Sequence, residues 1–283
     1  MHKFRSLAFA TIFALTSAAC GSSSSGDGSD AGDSVDALPG AADATATGPL
    51  AGWCQGQPTT FSFFVTSMNA LWAIAGTPIS DLNGGLGGDF GGISGADEIC
   101  QSIGAATGNG HKTWRAFLSA TDDGAGNQVD AIDRIGAGPW NDANGRVVAT
   151  GIAGLLADDR PDGDAQSVSD LPDECGVPIS TLGDAHDVIT GSNTEGRLNE
   201  TTLNSTCNDW TSSDGNIGGG SLRCGHSFPR ATGGGPGGDR GQHWLSDHPV
   251  PGCGKGATLV QGPSTSNCIG CSGGYGAIYC FAL

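Results

Sequence analysis

Residues 94–121, SGADEICQSIGAATGNGHKTWRAFLSAT, decide the fold. Ser94 is a residue type that caps helices, and the Asp97 carboxylate three positions later suits the positive end of a helix. The pattern then places apolar residues and one cysteine on a single helix face, namely Ala96, Ile99, Cys100 and Ile103. Glycines at 108 and 110 are expected to end this helix, and the aromatic and apolar run at 112–119 predicts a buried strand.

The cysteine on this buried helix face is expected to form a disulfide with a distant partner. The stretch GYGAIYCFAL, residues 274–283, predicts a terminal strand that carries Cys280. An earlier stretch, TFSFFVTS at 60–67, is rich in β-branched and aromatic residues and predicts the first strand. We therefore expect a Cys100–Cys280 disulfide that ties the two ends of the chain into one domain.

Several motifs share a resemblance to one known fold. They are GGISGADEICQ (91–101), TWRAFLS (113–119), IDRIGAGPW (132–140), CNDW (207–210) and the closing cysteines Cys271 and Cys280. In these motifs the sequence resembles the endostatin-type branch of the C-type lectin-like fold, and more closely an uncharacterised endostatin-like family of bacterial lipoproteins. The resemblance covers residues 60–283 and implies an α+β domain. The composition adds disulfides and long glycine-rich loops to that domain.

The resemblance also implies which cysteines pair. It makes Cys100–Cys280 the outer bond and nests Cys207–Cys271 within it. The chain has 10 cysteines, and with Cys20 set aside an odd number remains, so at least one is expected to be unpaired or joined between molecules. We favour Cys224–Cys253 as a third bond. The spacing of the other cysteines leaves their partners open.

The N-terminus has the pattern of an export signal. Lys3 and Arg5 precede a short apolar run, and small residues lead to Cys20. Residues 1–19 therefore predict a lipoprotein signal peptide with Cys20 as the lipidated residue, and plain secretion with cleavage near Ala19 is the alternative. Residues 20–52 are mostly Gly, Ser, Asp and Ala, which predicts a disordered tether. The folded domain is expected at 53–283, on a bacterial outer membrane or cell surface.

The overall composition excludes some partners. The formal net charge is −17, with 29 acidic residues against 12 Lys and Arg. A chain this acidic is repelled by nucleic acid and by anionic lipid, so we expect no nucleic-acid partner and membrane contact only through the lipid anchor. The 50 glycines favour a loop-rich fold containing β-structure. The cysteine count indicates an oxidising compartment.

Calcium is the cofactor that the sequence allows. The acidic stretch at 158–174 offers many oxygen ligands, of which Ca²⁺ needs about 6–8. The proposed ligands are Asp158, Asp159, Asp162 and Asp164. A solvated acidic loop without a metal is the alternative. Trp140-Asn141-Asp142 spells a lectin calcium motif at an unsuitable position, so Asp142 is expected to shape a turn instead.

Two other arrangements could carry chemistry. A glycine-rich segment at 218–256 contains potential zinc ligands, namely Cys224, His226, His243, His248 and Cys253. Their spacing matches no zinc module, and cysteines in an oxidising compartment usually pair. Residues 270–274 fit G-x-S-x-G around Ser272, but a nucleophile elbow needs a helix after the serine and none is predicted. The adjacent Cys268 and Cys271 are expected to have a structural role.

The functional expectation follows from anchor, tether and fold class. We expect a surface-displayed, non-enzymatic binding or adhesion module with a carbohydrate or extracellular-matrix ligand. The loops are expected to carry recognition, and Trp244, in a polar glycine-rich loop, is the candidate for an exposed ligand contact. A secreted hydrolase using Ser272 or a metal, and a purely structural envelope lipoprotein, are the alternatives.

Overall fold

The computed structural model describes residues 49–54, 60–157, 171–227, 243–260, 262 and 266–283. These residues belong to one compact unit that spans Ala41–Leu283. The predicted signal peptide, the lipidation site Cys20 and the tether up to residue 48 lie outside the described residues. Among the described helices, none has the length and apolar character needed to cross a bilayer.

Short strands outnumber helices, as the glycine-rich composition predicts. The helices are α1 (Met68–Ala75), α2 (Gly92–Ala106) and α3 (Ile152–Leu156). The strands are β1 (Phe63–Val65), β2 (Trp114–Ala116), β3 (Trp140–Asn141), β4 (Val147–Ala149), β5 (Asp187–Ile189), β6 (Arg223–His226), β7 (His248–Pro249), β8 (Gly254–Ala257), β9 (Cys268–Gly270) and β10 (Gly274–Ala282). The domain is therefore of mixed α and β structure.

The main sheet is organised around β10. Its strand order is β1-β10-β5-β6-β7, and β2 also pairs with β10. Strands β1 and β2 run antiparallel to β10, with Phe64 and Ala116 both opposite Cys280, whereas β5 runs parallel to it. All nine residues of β10 are buried. The first predicted strand thus pairs with the last one.

Helix α2 has the buried face that the sequence predicts but begins earlier than expected. Ala96, Ile99, Cys100 and Ile103 are all buried. The N-cap is Gly91 with φ 80°, and no side chain caps the helix, so the prediction that Ser94 is the cap is wrong. A glycine fits this position because left-handed φ values strain residues that carry a Cβ atom.

Asp97 holds α2 against β2 instead of stabilising the helix start. Its Oδ1 accepts a hydrogen bond from the Ala116 backbone N–H at 2.9 Å. Its Oδ2 lies 2.6 Å from Arg134 Nη2 and 3.1 Å from Arg115 Nη1. The carboxylate therefore links the helix, the strand that follows it, and the short 3-10 turn Ala131–Arg134.

The disulfides agree with the sequence-based expectation at one outer bond and differ elsewhere. Cys100 pairs with Cys280, across a sequence separation of 180 residues. Cys207 pairs with Cys253 and not with Cys271, and Cys271 pairs with Cys268 in a tight turn. The favoured Cys224–Cys253 bond is therefore also wrong, because Cys224 is a free, buried thiol. A fourth bond joins Cys54 to Cys175.

The CNDW motif (207–210) forms a left-handed turn that is hydrogen-bonded to the end of the 94–121 segment. All of residues 207–210 have positive φ, between 50° and 65°. Asp209 accepts hydrogen bonds from the backbone N–H and the hydroxyl of Thr121, at 2.7 and 2.6 Å. The Trp210 indole donates to the Ser119 carbonyl at 2.9 Å. These contacts and the Cys207–Cys253 bond hold four residues in a conformation that costs energy for non-glycine residues.

Two features near the N-terminal end were not predicted. Leu50, which the sequence assigns to the tether, is only 4% exposed and packs in the core, so the folded domain begins before residue 53. Helix α1 follows β1 directly, because Ser67 caps it by accepting a hydrogen bond from the Ala70 N–H and Gly76 ends it with φ 66°. By contrast, Asp142 shapes a turn as expected: it accepts hydrogen bonds from the Asn144 and Arg146 N–H groups, and the hairpin of β3 and β4 turns at Asn144-Gly145.

Removing the Cys100–Cys280 bond by Ser substitutions at both positions should lower the free energy of unfolding by about 2–5 kcal/mol, because the bond closes a long loop in the unfolded chain. The same substitutions at Cys268 and Cys271, only 3 positions apart, should cost clearly less. Urea unfolding measures both values. Peptide mapping without reduction should recover all four pairs, and a Cys207–Cys271 peptide would contradict this architecture.

A buried acidic pair predicts an unusual pH dependence of stability. Glu174 accepts hydrogen bonds from the Trp53 indole and the Ser67 hydroxyl, at 2.8 and 2.6 Å. Burial and the adjacent Glu174 carboxylate raise the pKa of Asp173 from 3.8 to about 7, and burial raises the pKa of Glu174 as well. The folded chain therefore binds more protons than the unfolded chain across this range. The contribution of the pair is largest at low pH and is lost as the pH rises through about 7.

The substitution Asp173→Asn should remove much of that decline between about pH 4 and pH 8, while keeping the Oδ1 atom that accepts from the Cys175 and Val177 N–H groups. Thermal unfolding across this pH range is the measurement. Asp133→Asn, at a carboxylate whose side chain is 64% exposed, is the control and should leave the decline in place. Parallel pH profiles for Asp173→Asn and the unsubstituted chain would contradict the prediction.

Candidate metal centre

Three adjacent strands bring polar side chains to one face of the sheet. In the antiparallel register, Asp187 on β5 lies opposite His226 on β6, and Cys224 on β6 lies opposite His248 on β7. Directly paired residues point to the same face, and so do residues two apart on one strand. His186, the residue before β5, stacks its ring on that of His226 with centroids 4.2 Å apart.

The group is almost completely removed from solvent. The side chains of Asp187 and His186 are 0% and 5% exposed, and that of His248 is 12% exposed. Cys224 is 0% exposed. Polar groups are buried at this density only when they satisfy one another or bind an ion.

The centre of the group is one oxygen atom, Asp187 Oδ1. Nε2 of His186 lies 3.1 Å from it and Nε2 of His248 lies 3.0 Å from it. Among the described residues, however, this oxygen accepts no hydrogen bond of ordinary geometry. The three side chains place ligand atoms within 4.8 Å of one another, which is close enough to share a metal ion.

Surrounding residues fix the orientation of each of these three side chains. The Ser272 hydroxyl donates to Asp187 Oδ2, which leaves Oδ1 directed at the imidazoles. His186 Nδ1 lies 3.2 Å from Asp184 Oδ1, and His248 Nδ1 lies 3.2 Å from the Pro249 carbonyl oxygen. For His248 this matches the usual arrangement, in which the second ring nitrogen of a metal-binding histidine is held by a carbonyl or a carboxylate. The contact between His186 Nδ1 and Asp184 is close in distance but lacks ordinary hydrogen-bond geometry.

The turn that carries Ser272 approaches the site closely. The carbonyl of Gly273 accepts hydrogen bonds from the backbone N–H groups of His186 and Asp187, at 2.7 and 3.0 Å. Gly273 has φ 125°, and a Cβ atom there would lie 2.2 Å from His186 Cε1. The position therefore requires glycine. The Cys268–Cys271 disulfide closes the same turn.

The electrostatics of the group follow from burial and mutual contacts. Burial alone would raise the pKa of Asp187, but contacts with His248, His186 and Ser272 outweigh burial and lower it. Burial, reinforced by the negative charge of Asp187, raises the pKa of the Cys224 thiol to about 11. Burial alone would lower the pKa of His248, yet its contacts with Cys224 and Asp187 raise it. Asp187 is therefore ionised at neutral pH and Cys224 is a neutral thiol.

A cysteine, a histidine and an aspartate in contact can serve either nucleophilic catalysis or metal binding. A cysteine nucleophile needs an accessible thiolate, but Cys224 is fully buried and its pKa is raised, both of which oppose that role. A metal site needs buried, oriented ligand atoms and can deprotonate a thiol by itself. The geometry favours the metal site.

The structure places the sequence-based site candidates in different environments. Trp244 is 1% exposed and its indole donates to the Leu155 carbonyl at 2.9 Å, so the expectation of an exposed ligand contact is wrong. Its ring packs against Phe63 and Tyr279 in the core, which accounts for the burial. The proposed calcium ligands Asp158, Asp159, Asp162 and Asp164 lie outside the described residues.

The zinc candidates from residues 218–256 are only partly brought together. Cys224 and His248 join the site, whereas Cys253 is bound to Cys207. The sequence analysis missed His186 and Asp187, which begin the stretch HDVITG (186–191) that contains β5. Adjacent polar residues at the start of an otherwise apolar strand were the available signal.

Ser272 has a different partner from the one a hydrolase needs. Its hydroxyl donates to the buried carboxylate of Asp187, and β10 follows the turn directly, where a nucleophile elbow needs a helix. In the described structure the serine therefore positions an acidic side chain.

Comparisons with known proteins leave the function to be argued from this geometry. No protein-family model matches the chain, and no curated protein has a matching sequence.

Because Cys224 is completely buried, its thiol should not react with iodoacetamide while the chain is folded. We expect mass spectrometry to find the Cys224 peptide unmodified after native treatment and fully alkylated after treatment in denaturant, with no reductant in either case. A surface cysteine in an unrelated control protein should react under both conditions. Rapid native labelling of Cys224 would contradict the described burial.

Proposed function

We propose that this chain is an exported, non-enzymatic binding protein whose folded domain holds one divalent transition-metal ion at His186, Asp187 and His248. The observation that carries the proposal is the convergence of two imidazole Nε2 atoms on the buried Asp187 Oδ1, at 3.1 and 3.0 Å. That oxygen has no hydrogen bond of ordinary geometry from the described residues, which is unusual for a buried carboxylate.

The distances are close to those around an ion of zinc size. Metal–ligand bonds of about 2.0–2.2 Å place neighbouring ligand atoms roughly 3.3–3.6 Å apart in tetrahedral coordination. The two nitrogen–oxygen distances here, 3.1 and 3.0 Å, would have to lengthen by a few tenths of an ångström when the ion binds. Two imidazoles and a carboxylate form a donor set that suits zinc and its neighbours in the first transition series. Calcium needs more oxygen ligands than this group supplies, so a calcium site, if the chain has one, belongs to another part of the sequence.

The burial of the group supports binding over catalysis. A catalytic zinc keeps one coordination position open to water or substrate. Here the most accessible of the three ligands, His248, has a side chain that is only 12% exposed, and Asp187 is fully buried. The metal would then stabilise the β5-β6-β7 region, as structural metals do.

The fold class and location proposed from the sequence accompany this site. We propose an endostatin-type, C-type lectin-like domain, supported by the pairing of β1 with β10 and by the Cys100–Cys280 bond. Residues 1–19 are proposed as a lipoprotein signal with Cys20 as the anchor, which would place the domain on the cell surface. Adhesion to a carbohydrate or a matrix protein stays a prediction, and the burial of Trp244 removes one of its proposed contacts.

The full chain, purified without a histidine tag and with its disulfides intact, should bind one zinc ion after treatment with a chelator. Elemental analysis measures the stoichiometry, and the melting temperature should rise because the ion binds only the folded state. At a free zinc concentration of 100 times Kd, the added stability is about 2.7 kcal/mol. Calcium at the same concentration should have no such effect on this site.

Asp187→Asn should abolish both zinc binding and the rise in melting temperature, because the amide is a much weaker ligand. Asp142→Asn is the matched control, since the Asp142 side chain is also buried, at 1% exposure. Asp142 pairs with Arg146 and contacts none of the proposed metal ligands in the described structure. The zinc stoichiometry of this variant should equal that of the unsubstituted chain. Equal zinc binding by Asp187→Asn, or none by the unsubstituted chain, would overturn the proposal.

A further inference from the structure

Cys224 is the only free cysteine among the described residues. The other eight described cysteines form the four disulfides, all in a chain proposed to fold in an oxidising compartment. A free thiol in such a chain is at risk of mispairing during folding. The thiol is completely buried in contact with His248 and in the electrostatic field of Asp187, an environment that packing alone does not require.

The strand register brings the thiol to His248, one of the three proposed metal ligands. Cys224 lies opposite His248 on one side and opposite Ile189, two residues after Asp187, on the other. Its Sγ is 3.5 Å from Nδ1 and 3.8 Å from Nε2 of His248. The latter is the nitrogen that lies 3.0 Å from Asp187 Oδ1.

The thiol has a hydrogen bond that a metal can replace. Its S–H donates to the His248 carbonyl oxygen at 3.2 Å. When a cysteine binds a metal, the S–H bond breaks, a sulfur–metal bond forms and the proton passes to solvent. The carboxylate and the thiolate together then balance the two positive charges of the ion. His248, whose pKa is raised without a metal, also releases its proton to solvent, so that both imidazoles bind as neutral ligands.

We propose that Cys224 is the fourth ligand of the site, so that the bound ion has one sulfur, two nitrogen and one oxygen donor. This inference rests on the proposed metal site at His186, Asp187 and His248. A fourth ligand of this kind narrows the range of metal ions that the site would bind, because a thiolate favours zinc and softer ions over magnesium, calcium and manganese. The second observation that points to a bound ion is the fully buried Asp187 Oδ1, which accepts no ordinary hydrogen bond in the described structure.

Cobalt(II) is the probe that distinguishes a thiolate site from a site without sulfur. The full chain, reconstituted with Co²⁺, should show both the visible bands of a tetrahedral site and a near-ultraviolet sulfur-to-cobalt charge-transfer band. Cys224→Ser should lose the near-ultraviolet band and bind zinc at least about tenfold more weakly. In a chain prepared without lipidation, Cys20→Ser is the matched control, because Cys20 is the one cysteine beyond the nine that the structure describes, and this variant should keep the band.

The outcomes separate this inference from the proposed function on which it rests. Cobalt bound without the charge-transfer band would overturn the role of Cys224 and leave the three-ligand site standing. A band that persists in Cys224→Ser and disappears in Cys20→Ser would also overturn it. No bound cobalt or zinc in the unsubstituted chain would overturn both.

A measurement on the unsubstituted chain covers the case in which Cys224→Ser does not fold. X-ray absorption at the zinc edge reports the number of sulfur neighbours directly. One sulfur at about 2.3 Å is the expected result. A first shell made only of nitrogen and oxygen would contradict the proposal whatever the behaviour of the variant.

Discussion

The burial of β10 is the constraint on which the rest of the fold depends. A strand whose nine residues are all buried must have hydrogen-bond partners on both edges and side-chain cover on both faces. Strands β1, β2 and β5 supply the edges, and α2 is tied to the strand by the Cys100–Cys280 bond. The parallel pairing with β5 then sets where β6 and β7 lie, and with them the proposed metal ligands.

Much of this framework could be predicted because its signals are local. The helical spacing of Ile99, Cys100 and Ile103 identified a buried face, and the apolar run around Cys280 identified a buried strand. The start of α2 was predicted wrongly because Ser94 resembles a cap in sequence, whereas the chain enters the helix through Gly91. The resemblance implied Cys207–Cys271, and this pairing is wrong because Cys271 closes a tight turn with Cys268. Nothing in the cysteine spacing indicates that Cys253 meets Cys207, since the two come together only when the loops fold.

The candidate site was less accessible to sequence reasoning than the fold. Cys224 and His248 stood out as potential ligands, but their partners His186 and Asp187 come from another part of the chain and meet them only through the register of β5 and β6. For Trp244, the sequence suggested a functional role that the structure does not support, because the side chain is buried. Its polar, glycine-rich neighbours suggested exposure, yet its ring fills the core beside Phe63 and Tyr279.

Because β10 is the last strand in chain order, it is also the last strand to be synthesised, and this has a consequence for folding in the cell. Strands β1, β2 and β5 all emerge before β10, the strand that they share as a partner, so the central sheet cannot be completed until β10 has been synthesised. The proposed export route would suit such a chain, because a polypeptide that has not completed its sheet stays unfolded enough to pass through a narrow translocation channel. Folding is then deferred to the compartment in which the disulfides form. A fold dominated by such distant pairings is also expected to form slowly.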